Sequence, residues 1–121
     1  MKNKEGKFVK ASPETVSLAG EGAVKELDGQ ILAANIWNQP GDKSYPISSF
    51  TYIMVYKDLS NVKTREQATA LLDFLWWTTH DGQNFATELD YAPLSAGVRA
   101  KVEKALGVIT YKGEAIKVAA K

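Results

Sequence analysis

A continuous run of strand-forming residues lies near the middle of the chain, at residues 50–56 (FTYIMVY). Only Thr51 in this run is polar, and the charged residues Lys57 and Asp58 end it. A short apolar run of this composition is typical of a strand that is buried on both faces. Such strands lie inside parallel or mixed sheets that are covered by helices. The pattern therefore predicts an α/β arrangement, in which helices cover a parallel or mixed sheet around this strand.

Helical spacing of apolar residues predicts three helices. The first begins at residues 12–14 (SPE), where a serine N-cap precedes proline and an acid, and its apolar face extends to Leu27. The second begins at residues 64–67 (TREQ), which match a capping box, and has a broad apolar face over residues 68–77. The third spans residues 95–106 and begins at a serine N-cap.

Shorter segments complete the predicted secondary structure. Residues 7–10 and residues 31–34 are further strand candidates, and residues 83–89 can form a short helix. Residues 109–116 predict a small hairpin that turns at Lys112 and Gly113. Together these elements predict helices packed over a central sheet.

Composition narrows the possible functions. The 121 residues fit one domain or part of a larger one, and the formal net charge of +1 gives no electrostatic case for binding nucleic acid. The absence of cysteine excludes disulfides and thiolate metal sites. No apolar stretch is long enough to span a bilayer, and the polar opening at residues 1–6 predicts no signal peptide in this chain.

Candidates for catalysis are few. His80 is the only histidine, and it precedes Asp81. A general base needs a nucleophile within reach, and Ser48 and Ser49 lack the spacing of a nucleophile elbow. A single histidine at a helix end is usually a capping or surface residue. The sequence therefore disfavours a hydrolase that uses His80, although this alternative stays open.

The other groups of polar residues give little indication of a catalytic or binding site. Glu88 and Asp90 lie two positions apart, Asp73 lies on the polar strip of the second helix, and no pair has a spacing that indicates acid–base catalysis. One histidine without cysteine makes a structural zinc site implausible. Residues 20–22 (GEG) lack the rest of a dinucleotide-binding fingerprint. The sequence predicts no metal, no cofactor and no enzymatic activity.

An ordered set of motifs resembles a known family. Residues 38–41 (NQPG), 45–51 (YPISSFT) and 55–58 (VYKD) are similar to one passage of the phosphate-binding protein of the high-affinity phosphate ABC transporter (PstS-like). The similarity runs from about residue 3 to residue 108. It also includes these segments: 6–9 (GKFV), 12–14 (SPE), 68–77 (ATALLDFLWW), 82–83 (GQ), 88–94 (ELDYAPL) and 98–102 (VRAKV).

The resemblance implies a two-lobed, type II periplasmic-binding-protein fold in which phosphate lies in the cleft between two α/β lobes. It implies that this chain is the C-terminal segment of such a protein. Residues 1–45 would be the end of the second lobe, and residues 46–121 would be the crossover strand and the C-terminal part of the first lobe. Tyr45, Pro46 and Ile47 would form the hinge.

The resemblance also implies that the phosphate ligands lie upstream of this chain. Arg65 and Arg99, the only arginines, do not follow the ligand pattern of the family, so no ligand-binding residue is assigned. The intact parent would be a periplasmic or exported substrate-binding protein that captures inorganic phosphate and delivers it to an ABC permease. The chain alone would not bind phosphate tightly, because tight oxyanion binding needs many convergent donors.

A chain with these missing neighbours is also expected to associate. Residues 50–56 and 68–77 would expose strand edges and apolar surface, which favours a homo-oligomer. The alternative function is a separately encoded interaction or structural module, which assembles with a missing half or with itself.

Overall fold

The computed structural model describes residues 1–28 and 32–118, which form three α-helices and one β-hairpin. The α-helices are α1 (Pro13–Gly22), α2 (Arg65–Thr79) and α3 (Ala96–Leu106), and the hairpin strands are β1 (Thr110–Tyr111) and β2 (Glu114–Ala115). Three short 3₁₀-helices span Val24–Glu26, Asp81–Phe85 and Thr87–Leu89. Within the described ranges, none of the helices has the length and apolar character needed to cross a bilayer.

The three predicted helix starts are confirmed. The Ser12 side chain accepts a hydrogen bond from the Thr15 N–H, and the Thr15 hydroxyl binds back to Ser12 in a capping box. At the start of α2 the Thr64 side chain accepts from the Gln67 N–H, and at the start of α3 the Ser95 side chain accepts from the Val98 N–H. The predicted capping box of α2 forms only in part, because the Gln67 side-chain oxygen accepts from the Lys63 N–H one residue before the cap.

The main core lies between α2, α3 and the hairpin. Leu72 is 1% exposed at the centre of α2, and Leu59 is equally buried in the segment that precedes this helix. Both belong to one cluster of buried apolar side chains, with these other members: Ala68, Leu75, Leu106, Ile109, Tyr111 and Ile116. Burial of these side chains removes apolar area from water, which is the dominant stabilising term in a domain of this size.

Helix α1 packs on α3 at the other side of the molecule. A Cβ atom on Gly97 would lie 2.7 Å from the Glu21 side-chain oxygen, so a larger residue at this position would require the Glu21 side chain to move. The Ser17 hydroxyl donates to the Pro93 carbonyl at 2.6 Å, and Lys101 forms an ion pair with Asp28 at 2.5 Å. The Lys101 ammonium lowers the pKa of the Asp28 carboxyl. The hydrogen bond of Ser17 and the ion pair of Lys101 thus hold the small apolar contact between α1 and α3 at its ends.

The predicted central strand is the largest departure from expectation. Residues 50–56 form no strand, and Met54 is 97% exposed while Ile53 is 64% exposed. The prediction of a strand buried on both faces is therefore wrong for this chain. A strand needs neighbouring strands to satisfy its N–H and C=O groups, and the described residues supply none beside this segment.

The predicted mixed sheet is correspondingly reduced. Among the described residues the only sheet is the antiparallel pair β1–β2, which confirms the predicted hairpin. Residues 7–10 contribute one bridge, between Phe8 and Lys2. In the predicted strand 31–34, Ile31 lies outside the described residues and residues 32–34 form no strand. The predicted helix 83–89 is replaced by the two 3₁₀-helices after α2.

Candidate functional site

The predicted hinge is held by hydrogen bonds to both flanking segments. The Tyr45 N–H donates to the Thr15 carbonyl in α1 at 3.0 Å, and the Pro46 carbonyl accepts from the Asn38 N–H at 2.9 Å. The Ser48 hydroxyl donates back to the Tyr45 carbonyl at 3.0 Å. Pro46 is buried, whereas Ile47 is exposed. These bonds hold the hinge residues against α1 and against the turn that contains Asn38, just before segment 50–56.

The turn before the hinge is organised by Asn3. The Asn3 side-chain nitrogen donates to three carbonyls of the turn, those of Gly41 and Asp42 at 3.0 Å and that of Ser44 at 3.3 Å. Its side-chain oxygen accepts from the N–H groups of residues 5 and 7. Asparagine favours such local turns, but the contacts to residues 41–44 have no signal in the sequence. One buried amide therefore ties the start of the chain to the segment before the hinge.

A surface depression of about 570 Å³ lies beside the hinge. Among the described residues, its lining contains Glu26 and no lysine, arginine or histidine. The Glu26 carboxylate accepts from the Asn35 N–H at 3.3 Å, and the Tyr52 hydroxyl bonds to the backbone of Ala34. An anion in this depression would meet a carboxylate without a compensating cation, so the depression has the wrong charge for phosphate.

A second depression, of about 510 Å³, also lacks a convergent set of donors. The one basic residue in its described lining, Lys43, lies 3.9 Å from the Glu14 carboxylate. The Glu21 carboxylate in its lining accepts from the Gly97 N–H at 3.2 Å. An anion in this depression would meet one lysine, which is already paired with Glu14, and the neighbouring carboxylates.

The two arginines do not face a common site. The Arg65 guanidinium contacts the Glu114 carboxylate at 2.5 Å and donates to the Ala115 carbonyl at 3.0 Å, so it joins the start of α2 to β2. Arg99 lies half-exposed on α3. The role of Arg65 in this structure is to clamp the hairpin, and the bidentate geometry explains why arginine suits that position.

His80 lies in a structural contact between α2 and α3. Its Nε2 atom is 3.0 Å from the Glu103 carboxylate, and its Nδ1 atom donates to the Trp76 carbonyl at 2.8 Å. The imidazole also stacks on the Trp76 ring, with centroids 3.9 Å apart. Both ring nitrogens are therefore occupied by groups that position the helices.

The remaining polar candidates are dispersed. Ser48 is buried and bonded to the backbone, and Ser49 donates to the carbonyl of residue 50. Glu88 and Asp90 are exposed at the second 3₁₀-helix after α2, and Asp90 adopts a left-handed conformation with φ 59°. In the part of the chain that the structure describes, no three acidic or histidine side chains converge as metal ligands.

A network around Asp58 was not indicated by the sequence patterns. The Asp58 carboxylate accepts from the N–H groups of Ser60 at 2.9 Å and Gly113 at 2.7 Å, and from the Thr110 hydroxyl at 2.8 Å. It also accepts from the Ser60 hydroxyl and from the Lys112 N–H. These donors lower the pKa of Asp58 far below its usual range, with the Ser60 hydroxyl as the largest cause. The spacing of Asp58 and Ser60 is typical of a local turn. The contacts of Asp58 with the hairpin join residues that are far apart in the sequence, so no local pattern predicts them.

Comparison with known proteins finds similar sequences among phosphate-binding proteins. The chain is 32% identical to the phosphate-binding protein PstS of Pasteurella multocida and 34% identical to that of Haemophilus influenzae, over 85% and 81% of this chain. A third relative, the phosphate-binding protein PstS of Methanocaldococcus jannaschii, is 36% identical over 69% of this chain. The alignments cover only 29%, 28% and 23% of these relatives.

Two further comparisons found no match. No protein-family model matches the chain, and no solved structure matches it significantly. The sequence similarity to the phosphate-binding proteins confirms the resemblance inferred from the ordered motifs. These relatives are binding proteins and not enzymes, in agreement with the expectation of a non-enzymatic family.

Proposed function

The chain is a distant homologue of a short portion of the PstS phosphate-binding proteins, and from this premise we propose that it is the C-terminal portion of such a protein. The intact parent captures inorganic phosphate without chemical change and delivers it to an ABC permease. The observation that carries the proposal is a similarity that extends over 85% of this chain. The parent is periplasmic or otherwise exported, and it has a type II, two-lobed fold.

The contribution of this chain to the parent is the crossing between the lobes. Residues 1–45 end the second lobe, and residues 46–121 return to the first lobe. Tyr45, Pro46 and Ile47 form the hinge, and this segment is held by the hydrogen bonds from the Tyr45 N–H to the Thr15 carbonyl and from the Asn38 N–H to the Pro46 carbonyl. Closure of two lobes over a ligand requires a few residues that absorb the change in backbone angles, and this segment lies at that position.

The isolated chain does not bind phosphate tightly in this proposal. A fully desolvated phosphate needs several donors at once, and the two surface depressions carry carboxylates with one paired lysine between them. Titration of the 121-residue chain with inorganic phosphate in a calorimeter is expected to give no saturable heat at submillimolar phosphate. Saturable binding in that range would contradict the assignment of the ligands to an upstream portion.

The second candidate function is a module that assembles with a separate polypeptide. The unpaired segment 50–56 favours this candidate, because it leaves strand backbone without partners among the described residues. Coexpression with the upstream portion of a relative distinguishes the two candidates. A module of this kind would copurify with the upstream portion and restore phosphate binding, whereas a truncated portion would remain separate.

A further inference from the structure

The Asn3 side chain is buried and bonded to backbone groups on two sides. Its oxygen accepts from the N–H groups of residues 5 and 7, which makes a local turn. Its nitrogen donates to the carbonyls of Gly41, Asp42 and Ser44, which lie 38, 39 and 41 positions away. The local turn needs only the oxygen, so the nitrogen serves the distant segment.

The turn at residues 41–44 depends on this nitrogen. Three of its carbonyls converge on one donor, and the bond to the Ser44 carbonyl is buried, with Ser44 only 1% exposed. A buried carbonyl that loses its donor is costly, because water does not replace the lost bond. Gly41 adds a second constraint, since its φ of 126° is rarely adopted by residues with a side chain. The Asn3 nitrogen therefore stabilises a turn that is unfavourable without it.

The turn in its place positions the first residue of the hinge. The Ser44 N–H donates to the Gly41 carbonyl at 3.0 Å, which closes the turn. The next N–H group, that of Tyr45, donates to the Thr15 carbonyl in α1 at 3.0 Å. Because Ser44 and Tyr45 are adjacent, the closed turn presents the Tyr45 N–H to α1. The turn, Tyr45 and α1 thus form one hydrogen-bonded unit at the start of the hinge.

We propose that Asn3 is a positioning residue for the hinge, which holds residues 41–44 so that Tyr45 stays fixed on α1 and lobe closure bends the chain after Tyr45. The hinge itself rests on the proposed function. The ring of Pro46 fixes its φ, so the change in backbone angles falls on Ile47, which is 59% exposed. A hinge that is rigid on one side loses less conformational freedom on closure, and this favours ligand binding.

The variant Asn3→Asp separates the two halves of the Asn3 amide. It keeps an oxygen that accepts from the N–H groups of residues 5 and 7, but it replaces the nitrogen donor with an oxygen that faces the carbonyls of the turn. Asn84→Asp is the matched control, because it makes the same change of charge at an exposed asparagine in the 3₁₀-helix Asp81–Phe85. This control is expected to behave as the wild type in both measurements below.

Amide hydrogen exchange of the 121-residue chain, followed by NMR, tests the positioning role without phosphate. In Asn3→Asp the N–H groups of Ser44 and Tyr45 are expected to exchange at least about tenfold faster than in the wild type, because the turn opens locally. The N–H of Leu72 in α2 is expected to keep its rate. Unchanged exchange at Tyr45 would overturn the proposal. Equal acceleration at Leu72 would indicate a general loss of stability and would overturn it as well.

Gly41→Ala releases the same turn from its other side and serves also if Asn3→Asp fails to fold. A Cβ at this position would lie 3.7 Å from the nearest side-chain atom, in Ser44, so the substitution strains only the backbone angle. Gly41→Ala is expected to accelerate exchange at Ser44 and Tyr45 and to leave Leu72 unchanged. Exchange in this variant that is unchanged at Tyr45, or that is accelerated equally at Leu72, would contradict the link between the turn and the hinge.

Phosphate titration of a chimera tests the consequence for closure. In the chimera this chain replaces the matching portion of the Pasteurella multocida protein. Asn3→Asp is expected to weaken phosphate binding by the chimera at least about fivefold, because closure must then also order the turn. Equal affinities with and without the substitution would refute the positioning role. A folded, unsubstituted chimera that binds no phosphate would instead contradict the proposed function, and the exchange rates at Tyr45 would then decide the role of Asn3.

Discussion

At the scale of single residues, Asp58 links the segment before α2 to the hairpin. Its carboxylate accepts hydrogen bonds from Ser60, Thr110 and the turn residues Lys112 and Gly113. Lys112 and Gly113 both have positive φ, so the turn that presents their N–H groups is a specific conformation. An ionised carboxylate suits this position because it can accept several donors at once.

The lowered pKa of Asp58 predicts acid sensitivity of the hairpin. Because the pKa is lower in the folded state, the carboxylate stabilises the fold above its unfolded pKa of about 3.9, and this stabilisation is lost as pH falls further. Asp58→Ala is expected to lower the melting temperature at neutral pH by roughly 5 °C. The variant is also expected to lose less stability than the wild type on acidification below about pH 4.

Thermal unfolding followed by circular dichroism across this pH range measures both effects. Glu88→Gln, which removes an exposed carboxylate, serves as the control and is expected to behave as the wild type. Equal acid sensitivity of Asp58→Ala and the wild type would contradict the role assigned to Asp58.

Single residues also show which contacts a sequence pattern can predict and which it cannot. The N-caps Ser12, Thr64 and Ser95 depend on contacts three residues away, and all three were predicted. Asp58 and Asn3 combine local partners with partners about 40–55 positions away, and a local pattern contains no information on the distant ones.

At the scale of elements, His80 joins the end of α2 to α3. The imidazole lies between the Trp76 carbonyl and the Glu103 carboxylate and stacks on the Trp76 ring. His80 is the only histidine in the sequence, and this arrangement gives it a structural role that explains its presence without catalysis. It also explains how the broad apolar helix α2 ends beside a polar turn.

His80→Ala is expected to reduce the free energy of unfolding by about 1 kcal/mol, the usual net value of a hydrogen bond, because it removes the link between α2 and α3. Urea denaturation measures this change. Thr78→Ala, in the last turn of the same helix, loses a hydroxyl bond to its own helix and is the matched control for local helix effects. A stability of His80→Ala equal to that of the wild type would contradict the structural role.

Among the elements, segment 50–56 shows where a hydrophobic pattern fails to predict the structure. Segment 50–56 was predicted to be a buried strand, but it forms no strand and most of its side chains are exposed. Apolar periodicity reports which faces a sequence can bury, whereas the burial itself depends on neighbouring strands. Here the described residues provide no such strand, and the apolar run lies on the surface.

At the scale of the whole molecule, the chain corresponds to about 29% of the length of its relatives. It contains a small core around α2, α3 and the hairpin, and a second contact between α1 and α3. The family could be inferred from ordered motifs, because such motifs survive at about 30% identity. The described residues form one two-stranded sheet, and the larger sheet that the resemblance implies is not present among them.

The central claim is that this chain is a functional equivalent of the matching portion of a phosphate-binding protein. The most direct measurement is a phosphate titration of a chimera, in which this chain replaces the matching portion of the Pasteurella multocida protein. The unmodified protein is the positive control, and the same protein without that portion is the negative control. The account predicts saturable phosphate binding by the chimera with an affinity within about tenfold of the unmodified protein, a difference of about 1.4 kcal/mol. A folded, monodisperse chimera that binds no phosphate would contradict it.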